Sequence, residues 1–157
     1  MIAKIKIDEI RSQEKWAKEG DVESQSIIGA KLANGDFVEQ DELGALYWFI
    51  QAIKQGHTHS KFNAGTMLVN GDGNINKNIE VGMMLIESAA NDGEGGACQF
   101  LSYCFQIGAF GKEKDESLSK LWHEKSSKFE DFKPLGKPID LALEYGIEVS
   151  SPIINIK

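Results

Sequence analysis

Apolar residues recur along most of this chain three and four positions apart, in pairs of stripes separated by polar, glycine-bearing turns. Ile28 and Leu32, Ala64 and Leu68, and Leu101 and Phe105 stand four apart, the inner stripe of a helix. Three residues beyond each pair come Gly35, Gly71 and Gly108, and glycine there can take the left-handed conformation that ends a helix. A polar stretch then leads to Asp41, Asn78 and Asp115, short side chains suited to capping a second helix. Within that helix Ala45, Gly82 and Ser119 are small, Trp48, Leu85 and Trp122 are large, and Ala52, Ala89 and Ser126 are small again. Small, large and small at helical spacing lets two helices approach closely around one bulky side chain. The spacing predicts first helices over 21–34, 57–70 and 94–107, and second helices over 41–55, 78–92 and 115–129.

The unit therefore repeats. Gly20, Gly56 and Gly93 open successive copies 36 and 37 residues apart, and Glu130 stands where the third copy would close on glycine. No helical pair of this kind can bury both its faces, so neighbouring pairs must stack to form one core. The expected architecture is all-α: one domain, a right-handed α-α superhelix of about three helix-turn-helix repeats (20–56, 56–93 and 93–130). A cap helix over 8–18, carrying Ile10 and Trp16, is expected to cover the open end of the first repeat. Residues 131–157 are expected to form a C-terminal cap and tail, with a short helix over 138–146 carrying Ile139, Leu141, Leu143 and Tyr145. The tail Val149–Lys157 reads either as an extended strip laid on the solenoid or as a disordered end.

Composition narrows the function. The only prolines are Pro134, Pro138 and Pro152, so helix is permitted over everything before them. A formal net charge of −7, with no basic stripe interleaved with aromatics, argues against nucleic acid and would draw a basic protein partner. The N-terminal stretch holds no apolar run long enough for a signal peptide or membrane span. The chain is expected to be cytoplasmic, or periplasmic or secreted if a leader has been removed. Cys98 and Cys104 are six apart on one predicted helix, about 240° around its axis, so they cannot readily bridge each other.

These positions resemble the Sel-1-like repeat family, relatives of the tetratricopeptide repeat. The first copy matches its pattern at Ala17, Gly20, Gln25, Gly29, Gly35, Asp41, Ala45, Trp48, Ala52 and Gly56. The second matches at Gly56, Gly65, Gly71, Gly73, Ala89, Ala90 and Gly93. The third keeps Ala97, Leu101, Gly108, Asp115 and Trp122 but has Ser102 in place of a glycine. The family's aromatic is replaced by Leu32 and Leu68. The resemblance implies a module that grips another protein, an adaptor or inhibitor, commonly bacterial. One concrete form is an immunity protein whose acidic surface meets a basic toxin. Its contrasting implication is a β-lactamase-like hydrolase of the cysteine-rich branch, but Cys98 faces Ala90 where that branch carries its second cysteine.

Other chemistry has plainer readings. Asp72, Asn74 and Asn76 imitate the start of a calcium loop, yet Lys77 and Met83 occupy positions that need glycine and a carboxylate. His57 and His59 lie two apart at a helix start, read as exposed polar residues with rings on different faces. Carboxylates near the second-helix starts favour the helix dipole without catalysis. No nucleophile motif, metal-ligand set or cofactor fingerprint occurs, so no catalytic residue, metal or cofactor is assigned. In the implied fold the first helices line a concave face for the partner. Its expected residues are Glu23, Ser26, Ala30 and Asn34; His59, Phe62, Thr66 and Asn70; and Gln99, Tyr103 and Gln106. Phe62 and Tyr103 would supply the aromatic anchors, unless Phe62 packs between repeats.

Overall fold

The computed structural model describes residues 2–157. Its helices are α1 (Ile2–Lys18), α2 (Val22–Asn34), α3 (Glu42–Ile53), α4 (Thr58–Asn70), α5 (Ile79–Asn91), α6 (Gly95–Ile107), α7 (Glu116–Lys125) and α8 (Leu141–Tyr145), with a 3-10 turn at Phe129–Asp131 between α7 and α8. From α1 to α7 each helix packs on its neighbours in the chain, so the molecule is an α-α solenoid of three helical hairpins. Local chemistry sets the element ends. Asp41, Asn78 and Asp115 each accept a hydrogen bond from a backbone N–H in the first turn of α3, α5 and α7. Gly35, Gly71 and Gly108 end α2, α4 and α6 at φ of 70°, 72° and 73°. The first helices are capped as well, by Asp21, His57 and Glu94, a role the sequence reading had not assigned them.

Helices of a hairpin cross where side chains vanish. A Cβ on Gly29 would lie 2.8 Å from the Phe49 ring, and one on Gly65 would lie 2.8 Å from the Gly82 carbonyl oxygen. In the third repeat serines replace both crossing glycines: the Ser102 hydroxyl donates to the Ser119 carbonyl at 2.8 Å. A hydrogen bond stands there in place of the closest backbone approach.

Between repeats two and three, Val69, Met83, Ile86 and Ala90 form one core with Ala97, Cys98, Leu101 and Cys104. At the corresponding positions of the third repeat stand Gln106, Lys120, His123 and Ser127. Its outer face is thus polar, the property of a solenoid end. The same absence of a covering repeat explains why Phe105 is only half-buried and why α7 contains no buried residue. It also accounts for α7 stopping at Lys125, four residues short of expectation, where the Ser126 hydroxyl turns back to the His123 carbonyl.

The two ends correct the sequence reading. α1 begins at Ile2 rather than residue 8, and it presents Ile10 and Ala17 to the core while Trp16 stays 51% exposed. Trp16 aligns with the buried Ala52 and Ala89; among the described residues no helix covers that side of α1. The segment after residue 131 caps neither end. It runs back over the repeats as a strap. The Lys133 N–H donates to the Asp92 carbonyl, the Thr58 N–H to Pro134, the Gly136 N–H to Gly56 and the Ile139 N–H to Ile53. After the short α8, Ile147, Val149, Ile154 and Ile156 pack against the first core cluster, where Ile139 and Leu141 join Leu46, Ile50 and Ile53 of α3. The tail is the extended strip: Ile156 pairs antiparallel with Val38, the Glu39 N–H donating to Asn155 and the Lys157 N–H to Phe37.

Candidate protein-binding face

The exposed sides of α4 and α6 differ from the rest of the surface in charge. Helix α6 has no charged side chain, and the one on α4, Lys61, is fully buried. Second helices α5 and α7 carry Glu80 and Glu87, and Glu116, Lys120, Glu124 and Lys125. Helix α2 keeps the exposed Glu23 and the half-buried Lys31; otherwise the first helices show mainly amide, hydroxyl and apolar groups to solvent. Asn34, Asn70, Gln99 and Tyr103 are exposed, and Ser26, Asn63 and Thr66 are half-buried. Between α2 and α4 a cavity of about 160 Å³ is lined by Ala30, Ala33, Asn34, Phe49, Asn63, Thr66 and Met67. Its floor is apolar and its rim carries amides and a hydroxyl; the Thr66 hydroxyl is itself turned to the Asn63 carbonyl.

The geometry sorts the expected face residues into groups. Ser26, Ala30, Asn34, Thr66, Asn70, Gln99 and Tyr103 stay on the first-helix face. Phe62 does not stand free: it packs against the second core cluster, and a Cβ on Gly96 would meet its ring at 2.7 Å. Gly96 lies seven residues, about 10 Å of helix, from Tyr103, which is 52% exposed. Gln106 borders a cavity with Lys114, Glu116, Ser119 and Lys120 on the polar end of the stack. Glu23 and His59 belong to the junctions between repeats. Glu23 approaches His57, and His59 pairs with the nearly buried Glu94 at 3.3 Å beside the Phe132 ring. The sequence reading missed Asn63, Met67, Phe49 and Ala33. Asn63 was the most legible of these, an amide one position from Phe62; Phe49 reaches the groove from the second helix, through the gap left by Gly29.

His57 is buried rather than exposed. Its Nδ1 accepts from the Ser60 N–H at 3.3 Å and lies 2.9 Å from the Ser60 hydroxyl, which puts the ring proton on Nε2, toward Glu23 Oε1 3.5 Å away. Burial holds the His57 pKa below the usual histidine value, against the attraction of Glu23. Beside it the Lys61 ammonium donates to Asp92 Oδ2 at 3.0 Å, a pair lying under the strap. The two cysteines are buried free thiols, Cys98 with its sulfur 3.5 Å from the Ala90 carbonyl. Burial pushes both thiols up, Cys104 to about 11, so both are poor nucleophiles at neutral pH.

Three stacked helical hairpins, capped and terminated in the same way, define a helical-repeat solenoid, a class of protein built to present an extended face. The chain belongs to the Sel1 repeat family, whose model matches residues 22–57, 58–94 and 96–128. Two solved structures share the fold. A Sel1 repeat protein from Oxalobacter formigenes superposes with a TM-score of 0.69 at 23% identity, over 76% of this chain and 48% of that one. The c5321 protein, a protective antigen of uropathogenic Escherichia coli strains displaying an SLR fold, gives 0.68 at 24% identity, over 76% of this chain and 25% of that one. The chain thus matches about half the length of the first and a quarter of the second. No curated protein matches it in sequence. Sel1 repeat proteins are generally protein-interaction modules. Among the described residues no helix is long and apolar enough to cross a membrane.

Proposed function

We propose that this chain is a non-catalytic adaptor or inhibitor that takes a partner protein on the exposed face of α2, α4 and α6. The observation that carries this is the loss of exposed charge from α4 and α6 in a chain whose net charge is −7. Protein interfaces deplete charge at their centre and enrich tyrosine and methionine there. The groove over Ala30, Ala33 and Met67 suits an aliphatic anchor, its amide rim suits polar groups beside that anchor, and Tyr103 offers an aromatic contact. Apart from Glu23 at the start of α2 the acidic charge lies off this face, so it would steer a basic partner during encounter rather than pair with it at the centre. An immunity protein for a basic toxin is one version of this reading.

The test begins with partner capture from the source organism and proceeds to affinity measurements on variants. Tyr103→Ala should weaken binding by roughly 1–2 kcal/mol, some five- to thirtyfold in Kd, and leave the melting temperature unchanged. Phe62→Ala should instead lower the melting temperature, because its ring packs between repeats. A partner whose Kd ignores Tyr103→Ala and Ala33→Leu, the latter filling the groove, would place the binding surface elsewhere. Turnover of a chromogenic β-lactam that one point substitution abolishes would replace this reading with the hydrolase.

A further inference from the structure

The three first helices begin in the same way except for the chemistry of the cap. Asp21 caps α2 and Glu94 caps α6, both through a carboxylate oxygen accepting a backbone N–H three residues on. At the equivalent position α4 uses His57, whose Nδ1 accepts from Ser60. A carboxylate at a helix start both accepts the hydrogen bond and complements the positive end of the helix dipole. An imidazole caps only while neutral. A proton on Nδ1 removes the acceptor and sets a positive charge against the positive end of the helix. The hydrogen bonds to Ser24 hold the Asp21 carboxyl below its ordinary value, so that cap persists through mild acid, whereas this one is lost in it.

The same residues hold the strap. His57 pairs antiparallel with Leu135, the Thr58 N–H donates to Pro134, the Thr58 hydroxyl to the Lys133 carbonyl and the Gly136 N–H to Gly56. We propose that His57 is an acid-sensitive latch, whose protonation uncaps α4 and loosens the C-terminal strap from the junction between the first two repeats. The charged groups around it bear on its sign. Glu23 approaches from α2 at 3.5 Å and favours the protonated ring. His59 on α4 stands with its ring 6.2 Å away and opposes it. Lys61 and Asp92 face each other as a pair and largely cancel. On the strap Lys133 and Lys137 flank Leu135, and at the end of α3 Lys54 faces Asp140 of the strap at 3.8 Å. Among the described residues the exposed Glu23 is the anion that pairs with the ring, and burial outweighs its pull. The proton therefore arrives below the ordinary histidine range, and the latch opens as pH falls.

Amide exchange by NMR on the full chain, normalised at each pH to unstructured rates, tests this. Between pH 7.5 and 5.0 protection of the Thr58, Gly136 and Ile139 amides should fall about tenfold, the size of losing one cap with dipole repulsion. Protection of the Asp41 amide, bonded to Leu32 in a distant turn, should hold. In His57→Asn, a neutral cap that does not titrate, the strap amides should be flat across this range. Equal loss in that variant, equal loss at Asp41, or no loss in the wild type would each overturn the latch. The ring titration of His57 in the wild type tests it without any variant. Its midpoint must lie below that of free histidine and coincide with the loss of strap protection, and a mismatch overturns the proposal.

Discussion

Phe37, Gly73 and Phe110 occupy one position in the three repeats, and all three have positive φ: 61°, 57° and 52°. Glycine takes that conformation freely, whereas a phenylalanine there is strained by about 1–2 kcal/mol. Phe37 gains little in return, being 53% exposed beneath Lys6, while Phe110 stacks on Phe100 with centroids 5.6 Å apart. Phe37→Gly should therefore raise stability by roughly 0.5–1 kcal/mol in urea unfolding, and Phe110→Gly should not. The Lys61–Asp92 pair sets a larger effect. Lys61 is fully buried, so Asp92→Ala strands its charge and should cost about 3–5 kcal/mol. Lys61→Met leaves only the partly solvated carboxylate unpaired and should cost clearly less. Equal costs would mean that the ammonium is solvated some other way. Neither the pair nor the crossing of Ser102 on Ser119 was legible in the sequence, because each joins residues that only packing brings together.

At the scale of elements, helix α3 is apolar on every side, where a helix with one solvent face carries a polar stripe. Ile50 is the clearest sign: its counterparts in α5 and α7 are Glu87 and Glu124. That pattern was available in the sequence and marked α3 as the helix something else must cover. It did not say what, since the strap arrives from some ninety residues further on. The strap lies close enough to exclude side chains. A Cβ on Gly136 would sit 1.9 Å from Asp92 Oδ2. Gly136→Ala should displace that carboxylate from Lys61, free the strap, and speed proteolytic cleavage within residues 132–140 several-fold; an unchanged cleavage rate would show that the strap holds without this contact.

For the whole molecule, the strap joins the end of the chain to its first repeat. Solenoid repeats otherwise touch only their neighbours, and stability adds up locally. Here the first two repeats and the strap share one core cluster, whereas the buried apolar residues of the third repeat cluster with the second alone. Opening should follow that division. Amides of α7 should exchange fastest among the three second helices, and those of α3 slowest, in hydrogen exchange near neutral pH. A stability balance across the molecule shifts with acid as well. His57 has a folded pKa below its unfolded value, so the unfolded chain binds more protons once pH falls below about 6.5. Its contribution is present above that pH and lost as pH falls toward the folded pKa. Urea midpoints should accordingly drop between pH 7 and 5 in the wild type, and less in His57→Asn.

The chain's own order of residues determined the hairpins, their caps at Asp41, Asn78 and Asp115, their left-handed glycine ends and their number. Those features arise among residues within a few turns of one another, where period and capping chemistry act directly. Tertiary structure alone decided the course of residues 132–157, the burial of His57 and Lys61, the removal of Phe62 from the open face and the groove between α2 and α4. Each depends on surfaces that exist only once the hairpins have stacked, and an apolar or polar side chain reads the same in sequence whichever of those surfaces it meets.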